Sequence, residues 1–249
     1  MSGHSKWSTI KRKKGAADAQ RSKVWGKALR FVEVAARQGG GNLDGNPTLA
    51  TAVQKAKAAS VPNDNIAKAI KRGTGELAGE AYEEVSYEGY GPGGVAVLVQ
   101  CLTNNRNRTS QDVRSAFNGS GGKMAEPGAV SWMFESKGVL IVPRSSADED
   151  EVFMAAADAG AEDVRSSDES IEVITPPESL KAVEAALGDA GIAVESSEIT
   201  RVPKTTIELG GPEAKKVLGL IDELDELDDV ADVYANFDIP DDVLAALAS

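Results

Sequence analysis

Apolar positions recur at helical spacing through the first third of the chain and at strand spacing beyond it. On a wheel drawn at about 100° per residue, Val24, Trp25, Ala28, Leu29, Val32, Ala35 and Ala36 share one side of a segment running from Asp18 to Gln38. Gly39, Gly40 and Gly41 end it, because glycine takes the left-handed conformation that closes a helix. A second helix starts at Asn46-Pro47, where Asn caps and Pro suits the first turn, and Leu49, Ala52, Val53 and Ala56 form its stripe. A third, short helix follows Pro62, with Ile66 and Ile70 one turn apart and Gly73 as its stop. Residues 1–17 are polar and basic, with Trp7 and Ile10 their only bulky apolar residues, and read as an arm. No strand pattern precedes residue 80, so the first module is predicted to be all-helical.

Past Gly79 the texture changes. Tyr82–Tyr90 and Val95–Leu102 read as strands around Gly91-Pro92-Gly93-Gly94, followed by a helix over Ser110–Phe117. Asn118–Gly128 reads as a mobile glycine-rich loop, and Ala129–Phe134 and Val139–Val142 as strands. The segment from Val139 to Val202 then alternates β-α-β-β-α-β, the order of a ferredoxin-like unit. A tail of strand (Thr205–Leu209), helix (Pro212–Leu227) and strand (Val230–Phe237) is too small for a core of its own and is expected to pack on the strands at 80–135. The predicted fold is therefore α+β with three domains. Residues 1–78 form the basic helical domain, 79–136 with 204–249 a discontinuous α+β domain, and 137–203 an inserted ferredoxin-like domain.

Charge sharpens this partition. Residues 1–75 hold 15 Lys and Arg against 4 Asp and Glu, a net +11, whereas the remainder holds 12 against 35, a net −23. Such asymmetry marks either a polyanion-binding module on an acidic body or two modules that pair with each other. The first helix favours the former. Lys23, Lys27, Arg30 and Arg37 fall within an arc of about 80° opposite the apolar side, and Glu33 is the one acid between Gln20 and Leu43. Ordinary exposed helices mix signs to gain pairs one turn apart, so a single-signed row accepts self-repulsion that a polyanion relieves. The arm adds Lys6, Lys11, Arg12, Lys13 and Lys14, and Arg21 opens the helix. Lys68, Lys71 and Arg72 lie near the third helix's C-terminus, where they also complement its dipole. If about seven of these cations touched phosphates, affinity for duplex DNA would fall with salt at a log–log slope near −6.

Other chemistry finds little support. Gly89-Tyr90-Gly91-Pro92-Gly93-Gly94 satisfies G-x-G-x-x-G, but a strand follows it where a dinucleotide site needs a helix. His4 is the sole histidine and lies in the arm, and Cys101 sits in an apolar strand as an inert core residue. The acidic runs Asp148–Glu151 and Asp222–Asp229 lack the glycine and spacing of a calcium loop and read as solvated helix faces. No catalytic residue, metal ligand, cofactor or small-molecule substrate is therefore expected. No zinc-finger spacing is present, and the linker Gly39–Asn46 is longer than a helix-turn-helix turn. No apolar run is long enough to span a bilayer and no secretory h-region follows the basic start, so a cytoplasmic setting is expected. Asn104-Asn105-Arg106-Asn107-Arg108-Thr109 follows a strand and precedes a helix. It reads as a capped helix start or, through Arg106 and Arg108, as a second nucleic-acid contact.

These residues together resemble the YebC/PmpR family. The likeness rests on Gly3–Trp7 (GHSKW), Ile10–Lys23, Val34–Gly41, Asn46-Pro47, Pro62–Gly75, Tyr87–Thr109 and Lys137–Val142. It is most specific over residues 3–142, and beyond residue 145 it rests mainly on element order. The resemblance implies a three-domain α+β protein. It also implies a DNA-binding transcriptional regulator or, as for other members, a ribosome-binding translation factor that relieves stalling at proline-rich stretches. The family motif is matched at Lys6, Lys11, Lys13, Lys14, Arg37, Lys68, Lys71 and Arg72. The chain departs from relatives at Val24-Trp25-Gly26, and Gly26 weakens its helix by about 1 kcal/mol relative to Ala.

Overall fold

The computed structural model describes residues 18–167, 169–240 and 243. The fold is α+β. By internal contacts the described chain divides into two compact units, one of residues 18–129 and 216–233, the other of residues 130–215 and 234–240. The three-part layout expected from the sequence is compatible with this division.

In the first unit, α1 (Asp18–Gly39), α2 (Pro47–Ala58) and α3 (Asn63–Gly73) close around Val32, Ala35, Ala36, Leu49, Ala52, Val53, Ala56, Ile66 and Ala69. Trp25 packs on this cluster and its indole N–H donates to Ala59 O at 3.0 Å. Asn46, 4% exposed, fastens the α1–α2 corner. Its oxygen accepts from Leu49 N at 3.0 Å, capping α2, while its amide donates to Ala35 O and Gly40 O at 2.9 and 2.8 Å. Gly73 sits where α3 crosses α1, and a Cβ there would lie 2.3 Å from Glu33 O. Val24 departs from the wheel: it is 45% exposed, because the apolar arc buries only from Trp25 onward.

The same unit carries a four-stranded sheet of order β3-β1-β2-β9: β1 (Glu83–Tyr90), β2 (Ala96–Thr103), β3 (Lys123–Met124) and β9 (Val230–Ala235), the unit boundary falling within β9 after Val233. β1 and β2 form the predicted antiparallel hairpin, Glu83 opposite Thr103 and Tyr90 opposite Ala96. Its turn is a short 3-10 stretch, Pro92–Gly94, with Gly93 and Gly94 at φ 71° and 78°. The motif therefore stands between two strands and not in the strand-turn-helix context that a dinucleotide loop requires. The helix after β2 is α4 (Arg106–Gly119), which begins four residues before the predicted Ser110 because Asn105 caps it by accepting from Arg108 N at 3.2 Å. The stretch expected to be a glycine-rich loop contains β3, and Glu88 steadies the chain beyond β3 by accepting from Gly128 N at 2.7 Å. α7 (Gly211–Glu226) ends in an acidic stretch, 225–229, whose first two residues close the helix and whose last three turn into β9.

The second unit holds β4 (Phe134–Pro143), α5 (Glu149–Ala157), β5 (Asp163–Ser166), β6 (Ser170–Thr175), α6 (Leu180–Asp189) and β7 (Ser196–Pro203). Their antiparallel sheet runs β5-β6-β4-β7, the ferredoxin-like order. Leu140, Val142, Ile171, Val173, Val152, Val183 and Leu187 supply its core. The strand expected at Ala129–Phe134 is instead a 3-10 turn, Ser131–Met133, after which β4 starts at Phe134. β8 (Ile207–Glu208) pairs in parallel with β10 (Phe237–Asp238).

Candidate nucleic-acid interface

The cationic row of α1 has occupants. Lys23 Nζ meets Glu226 Oε2 at 2.8 Å and Glu226 O at 3.3 Å. One turn on, Lys27 Nζ donates to Asp225 O at 2.5 Å. Arg30 donates to Asp228 O and stands 3.6 Å from Asp229 Oδ1, with its guanidinium 5.5 Å from the centre of the Tyr82 ring. The hydrogen bond and charge of Glu226 raise the Lys23 pKa above its ordinary value. Lys27 and Arg30 are only partly exposed, not open to solvent as the wheel predicts, and the run Asp222–Asp229, though exposed at Glu223, Glu226 and Asp228, is in part a partner of α1 and not wholly the solvated face expected of an acidic run. The last turn of α7 carries Asp222, Glu223, Asp225 and Glu226 and no base, an unfavourable arrangement at the negative end of a helix dipole. Cations of α1 neutralise it and take up carbonyls that the helix leaves unbonded at its end.

Arg37 and Arg72 answer to a different acid. Glu33 is 2% exposed, not on the solvent face where the charge pattern puts it. It accepts from Arg72 Nε at 3.0 Å and lies 3.5 Å from Arg37 Nη2, joining α1 to α3. Arg37 also donates to Glu80 O at 3.0 Å and Tyr82 O at 3.4 Å, tying down the connection into β1. Both arginines hold the fold together where they stand.

At the start of α4, Arg108 is engaged as well. It donates to Asp229 through Nη2 at 2.6 Å and Nε at 3.1 Å, and Thr109 and Thr103 add hydroxyl donors at 2.8 and 3.2 Å. Burial opposes ionisation of Asp229, but the hydrogen bonds from Arg108, Thr109 and Thr103 outweigh it and hold the carboxyl below its usual range. Arg106 pairs with Glu83 at 2.8 Å on the surface. The capped helix start is the reading the geometry favours for this motif. A cleft of about 610 Å³ opens between these elements, and its walls mix Lys23, Arg30 and Arg108 with Glu226, Asp228 and Asp229, so no single-signed field forms there.

Lys68 and Lys71 differ from all of these. They lie on α3 opposite its buried stripe of Ile66, Ala69 and Gly73, exposed and with no partner among the described residues. α3 follows α2 through residues 59–62 only, with Ser60 at φ 60°. The tight helix-to-helix turn that the α1–α2 linker lacks is therefore present one connection later. Ser60-Val61-Pro62 is the signal for it in the sequence, beyond the long Gly39–Asn46 linker that argues against a helix-turn-helix. Lys6, Lys11, Arg12, Lys13, Lys14 and the side chain of Arg21 lie outside the described residues. Among the described residues no cluster of His, Cys, Asp and Glu is placed to hold a metal ion, and no helix is long and apolar enough to cross a membrane.

Comparison with known proteins decides the family. A model described as the TACO1/YebC protein N-terminal domain matches residues 5–76, and one described as the TACO1/YebC second and third domain matches residues 82–237. The chain belongs to the TACO1/YebC family. Among TACO1/YebC relatives, a probable transcriptional regulatory protein of Citrifermentans bemidjiense is 53% identical over 97% of this chain and 98% of its own. One from Salinispora arenicola is 54% identical over 99% and 100%. The crystal structure of a conserved hypothetical protein from Aquifex aeolicus superposes with a TM-score of 0.79 at 46% identity, covering 90% of this chain and 93% of that one.

Proposed function

We propose that this chain is a non-enzymatic, DNA-binding transcriptional regulator that holds the phosphate backbone through its helical N-terminal module. The observation that carries the reading is the outward face of α3, where Lys68 and Lys71 are exposed and without a partner among the described residues while the nearby arginines are bound to Glu33. Full-length likeness to proteins named probable transcriptional regulatory proteins supports it. So does the four-residue turn that sets α3 against α2, the kind of connection that presents a helix to a DNA groove. Lys6, Lys11, Arg12, Lys13, Lys14 and Arg21 supply further backbone contacts in this reading. Arg37 and Arg72 act by positioning α3, and Arg106 and Arg108 by building the start of α4. A regulator of this kind works in the cytoplasm and needs no cofactor.

Phosphate contacts carry no sequence information, so the same face would serve ribosomal RNA. Crosslinking in cells, followed by sequencing of the bound nucleic acid, tests the reading. Enrichment of promoter DNA is the expected result. Enrichment of ribosomal RNA would replace it with action on the ribosome.

A further inference from the structure

The acidic stretch at 225–229 does more than neutralise a helix end. Lys23, Lys27 and Arg30, at successive turns of α1, donate to carboxylate and carbonyl oxygens, the acceptor chemistry that a phosphate backbone offers, and Arg30 also faces the Tyr82 ring. We propose that the Lys23–Lys27–Arg30 row is a second phosphate-binding surface, occupied in the free chain by residues 225–228, and that a nucleic-acid backbone displaces this stretch to reach it. The proposal rests on nucleic-acid binding by the N-terminal module.

Two features support displacement over permanent pairing. The outer contact is open, with the Lys23 and Glu226 side chains 44% and 51% exposed, and exposed ion pairs are weak and screened by salt. The stretch lies between two fixed points, Leu224 buried at 0% exposure and Asp229 gripped by Arg108, so its displacement frays the last two residues of α7 and leaves both anchors in place.

A double-mutant cycle on the full chain, read by anisotropy with a labelled random-sequence DNA duplex, tests this. E226Q/D228N is expected to bind about threefold tighter or more, since two competing carboxylates are gone. That gain should vanish when the pair is combined with K23Q/K27Q. A gain of equal size in both backgrounds would reduce the acids to general repulsion and overturn the proposal, as would no gain at all. Wild-type binding without the gain would sink this inference alone. Absence of binding by every variant at low salt would remove the functional reading and this proposal with it. Hydrogen exchange on the wild type gives a second readout that needs no variant to fold. Adding duplex should speed exchange of the 225–228 amides, and unchanged or slowed exchange there contradicts displacement.

Discussion

Arg108 grips Asp229 through two nitrogens, at 2.6 and 3.1 Å, across 121 positions of the chain. Asp229 is 7% exposed and also satisfies Thr103 and Thr109, so it locks the start of α4 to the turn before β9. Asp229→Asn leaves buried hydroxyls and a guanidinium short of a charge partner and should cost about 2–3 kcal/mol in urea unfolding. The pH dependence follows from the depressed carboxyl. Its contribution is complete above about pH 4, the unfolded value, and is lost as pH falls through the lower folded value. Wild-type stability should therefore drop below about pH 4 more steeply than that of the Asn variant, which circular dichroism across an acid titration would reveal.

Glu33 is the equivalent hub of the helical module. Glu33→Gln keeps the shape and removes the charge facing Arg37 and Arg72. Both arginines are about one-third exposed, so water softens the loss, and the expected cost is about 1–3 kcal/mol. Denaturant melts should show it, and a melt superimposable on wild type would deny Glu33 its role.

Gly26 lies inside α1 in open space, with nothing within 4 Å of a Cβ placed there. Gly26→Ala should stabilise the chain by up to about 1 kcal/mol through helix propensity alone, read as a raised melting temperature. Destabilisation would mean that the position requires its glycine.

Cys101 is fully buried in β2, and burial, with the Asp229 carboxylate adding to it, pushes its thiol up to about 12. The folded chain should resist a maleimide at neutral pH and take up one equivalent only after unfolding. Fast labelling of the native state would place Cys101 elsewhere.

The helices, the β1–β2 hairpin and the ferredoxin-like order are all legible locally, because each depends on periodicity, caps and turn residues within a short window. Asn46-Pro47 and the Gly91–Gly94 turn are examples. The fate of the α1 cations is not legible. Lys23 and Glu226 are 203 positions apart, and a helical wheel reports which residues share a face but not what covers it. Glu33 misleads for the same reason, since an acid among cations looks solvated until a partner arrives from another helix, here Arg72. Lys68 and Lys71, exposed on α3, are ambiguous in the sequence because a helix C-terminus attracts such residues for its own sake.

Engagement of a phosphate backbone by α3 of the N-terminal module is open to direct measurement. Anisotropy titrations of the full chain with duplex DNA over a range of salt measure it directly. The Lys68→Gln/Lys71→Gln variant should bind more weakly and lower the log–log salt slope by about 2 relative to wild type. Binding of equal strength and equal slope in the two proteins would contradict the account.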